Sequence, residues 1–324
     1  MPSLALQKAI FCLPQKLRRI RVAQWLGLNV MGTARHQLIF REGRLVGDIR
    51  DGAVALALVK KTFEDYGYFN LARNLLAAGG VHLDVGANFG FHTFGLLSTP
   101  ALRGLEYVMV ETNPECCACL NFSRALHPEV HCQLIPNAVG SADGRLRLSF
   151  DAGAMGSGYV SDATGANPAS GAVSVVEVPC RRLDDILPEA GVHHVRLMKM
   201  DIEGSETDAL RGARRHLQEG RIDYIYFEIN GIALARRGST IPELLDVLRS
   251  ADFQLFWPHH DLDWLRTVCG REFKPSEEKF AQLPGPDGLR ATLFDPTRHK
   301  LKDDSQLDLL AVHGSQPLEI VPGA

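Results

Sequence analysis

The stretch from Val81 to Thr93, VHLDVGANFGFHT, restricts the possible folds of this chain more than any other. Val81, Leu83 and Val85 have the character of a buried strand, and the segment then runs through Gly86 and Gly90 into Phe91, His92 and Thr93. That is the pattern of a strand feeding a glycine turn and a helix. Glycines accept backbone angles that other residues resist and let the main chain approach a ligand closely. Open α/β sheets bind ligands outside the carboxyl ends of their strands, where Asp84 falls. The spacing excludes two nucleotide sites: Gly86 and Gly90 with Ala87, Asn88 and Phe89 between them are not G-x-G-x-x-G, and no Lys-Ser or Lys-Thr follows. A carboxylate beside G-x-x-x-G suits a ligand with cationic or hydroxylated groups, such as S-adenosylmethionine. An ordinary tight strand-to-helix turn is the competing reading.

Downstream, apolar runs alternate with helical patterns. EYVMVE (106–111) reads as a strand ending in an acid, followed by a helix from Pro114 to Leu126. CQLIPNAVG (132–140), Arg145 to Phe150 and Val173 to Pro179 read as further strands. Asp151 to Gly171, rich in Gly, Ala and Ser, reads as a loop. A short helix is expected near Leu183 to Leu187. HHVRLMKMDIEG (193–204) is another strand ending in acids, after which Ser205 is placed to cap a helix through Leu217, with Asp208 completing a capping box. YIYFEIN (224–230) repeats the pattern, and Thr240, Pro242 and Glu243 announce another helix. FQLFWP, ATLF and LDLLAV close the series, with a polar, Pro-rich lid or insertion at 259–290. Strands alternating with helices imply an α/β fold with a mostly parallel sheet covered on both faces.

With 324 residues the chain can bury a full core, and a net charge of −3 gives no global basic field for nucleic acid. The charge is unevenly placed. Lys8, Lys16, Arg18, Arg19 and Arg21 precede any acid and are interleaved with Leu6, Ile10, Trp25 and Leu26. Residues 6–26 therefore read either as a helix packed on the domain, interrupted at Pro14, or as a basic amphipathic segment making peripheral contact with the inner face of a membrane. No apolar run reaches the roughly 20 residues of a membrane span. Gln7, Lys8 and Pro14 break any signal peptide, so a cytoplasmic location is expected. Seven cysteines form no regular framework, and Cys116, Cys117 and Cys119 read as reduced residues on a helix.

Four strands end in Asp84, Glu111, Asp201 with Glu203, and Glu228 with Asn230, and the ends of parallel strands share one rim. With these motifs in view, the sequence resembles the FkbM-type S-adenosylmethionine-dependent methyltransferases. The resemblance rests on DVGANFGFHT (84–93), VMVETNPE (108–115), NAVGSADG (137–144), VPCRRLDDIL (178–187), MKMDIEGSETDALRGA (198–213) and FEIN (227–230), in family order over about half the chain. It departs from the family pattern at Thr112, a position often held by proline.

The resemblance implies a class I methyltransferase (Rossmann-like) fold with a seven-stranded, mostly parallel sheet and an N-terminal helical extension. It also implies S-adenosylmethionine as cofactor and methyl transfer to a hydroxyl of a sugar, glycolipid or natural product. Residue by residue, it places Asp84 and Gly86 at the methionine end of the cofactor and Glu111 at the ribose hydroxyls. Asn137 and Ala138 would flank the adenine, with Ala87, Asn88, Gly90 and Asn113 completing the cofactor set. Asp201 would lie beside the sulfonium, with Glu203 and Glu206 facing the substrate; these three are the catalytic candidates. His92, His259 and His260 are alternative bases, and no metal is required. The expected organisation is an extension over 1–70, a catalytic domain over 71–315 and a tail over 316–324. A cofactor-binding module without turnover is the competing function. The acceptor and the oligomeric state are not written in the motifs.

Overall fold

The computed structural model describes residues 5–15, 18–40, 43–63, 65–151, 154–160, 173–258, 278–299, 301–318 and 320–322. His259, His260 and most of the expected lid lie outside these residues. The chain divides into two compact units, one of Met1–Asp65, Gly86–Ala138 and Arg145–Pro179, the other of Tyr66–Val85, Val139–Gly144 and Cys180–Ala324. The backbone passes between them at the Val85–Gly86 peptide.

The first unit opens with the helices Ala5–Cys12 and Ile20–Trp25, the second continuing as a π-helical turn, Leu26–Val30. An antiparallel hairpin, Arg35–Ile39 with Arg44–Asp48, follows; the sequence pattern had not suggested it. Asp51 then caps the helix Gly52–Lys60, accepting from the N–H groups of Ala53 and Val54. The parallel strands Glu106–Val110 and His131–Ile135 flank the helix Pro114–Ala125, which Asn113 caps. Ala138–Val139 is a separate short strand rather than a continuation of the third one. Ser123 on the helix accepts a hydrogen bond from the Val46 N–H at 2.8 Å, which ties the hairpin to the parallel pair. Phe63 stacks on Phe91 at 4.4 Å, and Phe40 tilts against the same ring at 5.4 Å.

The expected loop after Asp151 is partly a strand. Ala154–Val160 pairs antiparallel with Gly144–Asp151. Composition argued for a loop because small residues pack little. The pairing is supported from outside the segment: the Met155 N–H donates to Asp51 at 2.8 Å, and its carbonyl accepts from Asn113 at 2.9 Å.

In the second unit eight strands lie side by side in the order Val81–Val85, Val195–Met200, Ile222–Asn230, Gln306–His313, Phe253–Trp257, Arg290–Leu293, Lys279–Gln282 and Ile320–Pro322. The first three are parallel to one another and buried along most of their length, as strands covered on both faces must be. Gln306–His313 runs against them, and Phe253–Trp257 runs against it in turn. The last three strands extend the sheet by antiparallel pairing, so residues 279–282 of the expected lid are sheet. The fold class is α/β, as the alternation of strands and helices implies.

Helix starts show which sequence signals survive tertiary packing. Thr240 and Glu243 form the expected capping box of Ile241–Arg249. Ser205 makes no capping hydrogen bond, and the expected helix to Leu217 is two helices, Glu206–Gly212 and Arg214–Gln218. The break falls after Gly212, where a Cβ would strike the Gly140 carbonyl. The second helix takes its cap from elsewhere in the unit: Asp184 accepts from the N–H groups of Arg215 (2.8 Å) and His216 (3.0 Å), and its carboxylate also bonds the buried His216 ring.

Candidate functional site

The glycine turn is built by three residues in the left-handed region, Gly86 (φ 80°), Asn88 (φ 53°) and Gly90 (φ 82°). Such angles are unremarkable for glycine and uncommon for asparagine. The Gly86 and Ala87 N–H groups both donate to the Val110 carbonyl, at 3.0 and 3.1 Å. The Asn88 N–H donates to Glu111 Oε2 at 2.7 Å, while Glu111 Oε1 accepts from the Thr112 and Asn113 N–H groups, each at 2.7 Å. Glu111 is nearly buried, so this carboxylate is locked between the glycine turn and the end of its own strand. An ionised carboxylate has about four acceptor positions, and three are taken by backbone. These three donors hold the Glu111 carboxylate in one place at the end of its strand.

Neighbouring candidates are committed to structure to different degrees. Asn113 is buried and uses both ends of its amide, accepting from the Glu115 N–H and donating to the Met155 carbonyl. Asn137 is half-buried, and Ala138 is buried at the start of its short strand. At Gly90 a Cβ would run into the Phe94 ring and Leu120, so its missing side chain makes room for protein. Cys116, Cys117 and Cys119 are free and buried, and burial pushes the Cys117 and Cys119 thiols up to about 12, which leaves them unreactive at neutral pH. His92 Nε2 lies 2.8 Å from Asp65 Oδ2 and meets the Phe63 ring edge-on.

In the second unit Asp84 is fully buried, and Lys199 faces it across the parallel pairing. The Lys199 ammonium, 4% exposed, lies 3.7 Å from Asp84 Oδ1 and 3.5 Å from Asp201 Oδ2. The outer member of this trio, Asp201, is 41% exposed in the side chain. The chain then reverses through Glu203 (φ 52°) and Gly204 (φ 95°). Glu206 holds this reversal: its Oε1 accepts from the N–H groups of Ile202 at 3.0 Å and Gly204 at 3.3 Å. Its Oε2 is buried without a hydrogen-bond partner. Burial pushes the Glu206 carboxyl up to about 7, against the pull of those backbone N–H groups.

Glu228 is also pushed up to about 7, first by burial and then by the carboxylates of Asp201, Asp308 and Glu203, while the Gln306 amide (2.7 Å) opposes the rise. Sequence reasoning listed Glu228 only as a strand end and gave Lys199 and Asp308 no role. The signal for Lys199 was its position two residues before Asp201 on a buried strand, where a lysine needs a buried partner. Asp308 carried none, because it comes from an antiparallel strand far along the chain. Among the described residues no group of three or more His, Cys, Asp and Glu side chains is arranged to hold a metal ion.

The titration of Glu206 has a direct consequence. A folded-state pKa of about 7 against the usual 4.5 means that the folded chain keeps a proton that the unfolded chain releases. The stabilisation is complete below pH 4.5 and lost as pH rises through 7. Glu206→Gln keeps an acceptor for the two N–H groups and removes the titration. It should be the more stable protein at pH 8, by on the order of 2–3 kcal/mol. Urea denaturation of both proteins at pH 5.5 and 8 tests this, and equal pH dependence in the two would refute it.

The chain is similar to several known proteins. Residues 84–255, just over half of the chain, match the model of the methyltransferase FkbM domain. Over 83 residues the chain is 32% identical to the 2-O-methyltransferase NoeI of Sinorhizobium fredii (strain NBRC 101917 / NGR234), a stretch covering 26% of this chain and 33% of that protein. It thus spans about a third of the length of the curated relative it matches. Among solved structures it is similar to a methyltransferase FkbM from Methylobacillus flagellatus KT, with a TM-score of 0.41 and 20% identity over 64% of this chain and 50% of that one. It is also similar to a precorrin-6y C5,15-methyltransferase from Geobacter metallireducens GS-15, with a TM-score of 0.37 and 9% identity over 78% and 90%.

Proposed function

Because the chain belongs to the methyltransferase FkbM family, whose methyl donor is S-adenosylmethionine, we propose that it methylates a hydroxyl group of a sugar, glycolipid or natural product. The observation that carries this reading is the Asp84–Lys199–Asp201 trio, two carboxylates on one buried lysine at the ends of neighbouring parallel strands. A donor bearing a sulfonium and an ammonium suits a site rich in carboxylates, and a phosphate-rich nucleotide does not. Transfer to oxygen is favoured by the relative NoeI, a 2-O-methyltransferase.

On this reading Asp84 and Gly86 serve the methionine end of the donor, and Glu111, held at the end of its strand by the turn, the ribose hydroxyls. Ala87, Asn88 and Gly90 shape the turn, Asn113 braces it, and Asn137 and Ala138 flank the adenine. The donor brings an already activated methyl group. The protein's task is alignment of donor carbon and acceptor oxygen, which is worth roughly 7–11 kcal/mol in well-oriented systems. Asp201 and Glu203 face the acceptor, where a carboxylate within hydrogen-bond reach takes up the hydroxyl proton. Glu206 is a positioning residue that keeps the 201–205 reversal in shape. Glu228, raised toward neutrality in the same acid group, is a further proton acceptor matched to neutral pH.

The expected result is a rise in melting temperature with S-adenosylmethionine and none with NAD. S-adenosylhomocysteine should be released when a panel of glycans and hydroxylated natural products is supplied. A thermal shift without turnover on any acceptor would favour a binding module, and no shift at saturating donor would overturn the whole reading. Residues 6–26 carry the accompanying proposal of peripheral membrane contact.

A further inference from the structure

The segment expected to lie on a membrane divides into two parts that behave differently. Leu6 and Ile10 of the first helix are fully buried, and Gln7 exchanges hydrogen bonds with the Ile39 backbone at 2.6 and 3.0 Å. That helix is packed on its unit and presents no apolar face. The next helical segment, residues 20–30, is turned the other way. Its buried residues are the small ones, Ala23 and Gly27. A Cβ on Gly27 would collide with the Ile49 side chain and crowd His36 and Leu6. Side chains larger than these cannot face inward, so the segment lies close against the body and directs its bulk outward. Trp25, Leu28 and Val30 are 58%, 41% and 56% exposed. Arg21 precedes Trp25 by four residues, on the same helical face, and Arg19 and Arg21 are both exposed.

An apolar cluster including tryptophan, on a helix lying flat on the protein and bordered by arginines, has the composition of an interfacial membrane contact. The charge distribution selects the kind of surface. The first 41 residues contain seven Lys and Arg and no Asp or Glu. The helix packed against this segment, Gly52–Lys60, has no acidic residue and is followed by Lys61. Asp48 and Asp51, which precede it, are buried and hydrogen-bonded, Asp48 to Arg50 and Asp51 to backbone N–H groups. A second copy of the chain would bring the same cations face to face, whereas an anionic bilayer complements them. We infer that Trp25, Leu28 and Val30, with Arg19 and Arg21, dock this protein on a membrane surface rich in anionic lipid headgroups. The inference is independent of the catalytic reading, since it uses neither the glycine turn nor the acid group.

The test is co-sedimentation of the full chain with vesicles of phosphatidylglycerol and phosphatidylcholine in equal parts, and of phosphatidylcholine alone. The protein should pellet with the anionic vesicles, remain in solution with the zwitterionic ones, and be released by high salt. Trp25→Ser with Leu28→Ser and Val30→Ser should reduce pelleting to the zwitterionic level. Arg19→Glu with Arg21→Glu should weaken partitioning about tenfold or more. All five sites are exposed, so far-ultraviolet circular dichroism should match the parent protein. Absence of binding to anionic vesicles, or binding unchanged in both variants, overturns the inference. So does a lipid-free dimer in sedimentation velocity that the triple serine variant abolishes, which would make a second copy the occupant.

Discussion

In the Asp84→Ala protein the rise in melting temperature caused by S-adenosylmethionine should disappear, and the folded state should itself be weaker by about 3–5 kcal/mol. Both effects follow from the charge trio. Asp84 is fully buried and Lys199 almost so, while Asp201 is partly in water. Without Asp84 the lysine loses its buried carboxylate and keeps a partly solvated one, Asp201, at 3.5 Å, and separating a buried cation from its buried partner is costly. Adding Lys199→Met to Asp84→Ala should recover most of the stability, because the stranded charge is gone. Donor binding should stay lost, since the double variant still lacks the Asp84 carboxylate proposed to meet the methionine end of the donor. That separation distinguishes the fold role of Asp84 from its proposed cofactor role. Chemical denaturation and thermal shift of the parent, single and double variants measure it. A double variant no more stable than Asp84→Ala, or a single variant that still responds to the donor, would defeat the argument.

Gly204→Ala should be the most damaging methyl group that can be added to the acid group. Gly204 has φ 95°, and its Cβ would press against the carbonyl of Ala233 and the nitrogen of Leu234. Both obstacles are backbone, so no rotamer change relieves them. Left-handed strain of about 1–2 kcal/mol and overpacking of about 1–3 kcal/mol add to roughly 2–5 kcal/mol. The same change distorts the reversal that Glu206 holds through Ile202 and Gly204, so methyl transfer should fall with stability. Gly238→Ala is the control: φ is 69° there, and nothing lies within 4 Å of the added Cβ. It should cost only the backbone strain. The difference in unfolding free energy between the two variants isolates the clash, and equal losses would show that close approach to Ala233 is unimportant.

Glycines show a limit of reading motifs. In the sequence, glycines beside acids suggest approach to a ligand. In the structure Gly204 makes room for the backbone of a later helix, Gly231–Arg236, Gly90 for Phe94 and Leu120, and Gly212 for the Gly140 carbonyl. Motif spacing records that a side chain is excluded without recording what excludes it. The same limit applies to caps. Thr240 and Glu243 satisfy each other within four residues, and the sequence signal held. Ser205 offered an equally local cap and was displaced by Glu206, which bonds the preceding turn, while the next helix is capped by Asp184 from 31 residues away.

The strand-turn-helix at Val81–Thr93, the alternation of buried strands with helices, and the acids at the strand ends are all properties of the sequence alone. They follow from side-chain periodicity and glycine conformation, which act over a few residues. Tertiary structure decided the state of each acid, because charge and burial depend on partners far apart in the chain. It placed Lys199 between Asp84 and Asp201, and it buried Glu206 as the brace of a turn. It bound Glu111 to three backbone N–H groups and brought Asp308 to Glu228 by an antiparallel pairing across 80 residues. It also turned Trp25 outward, because only Ala23 and Gly27 fit beneath the helix.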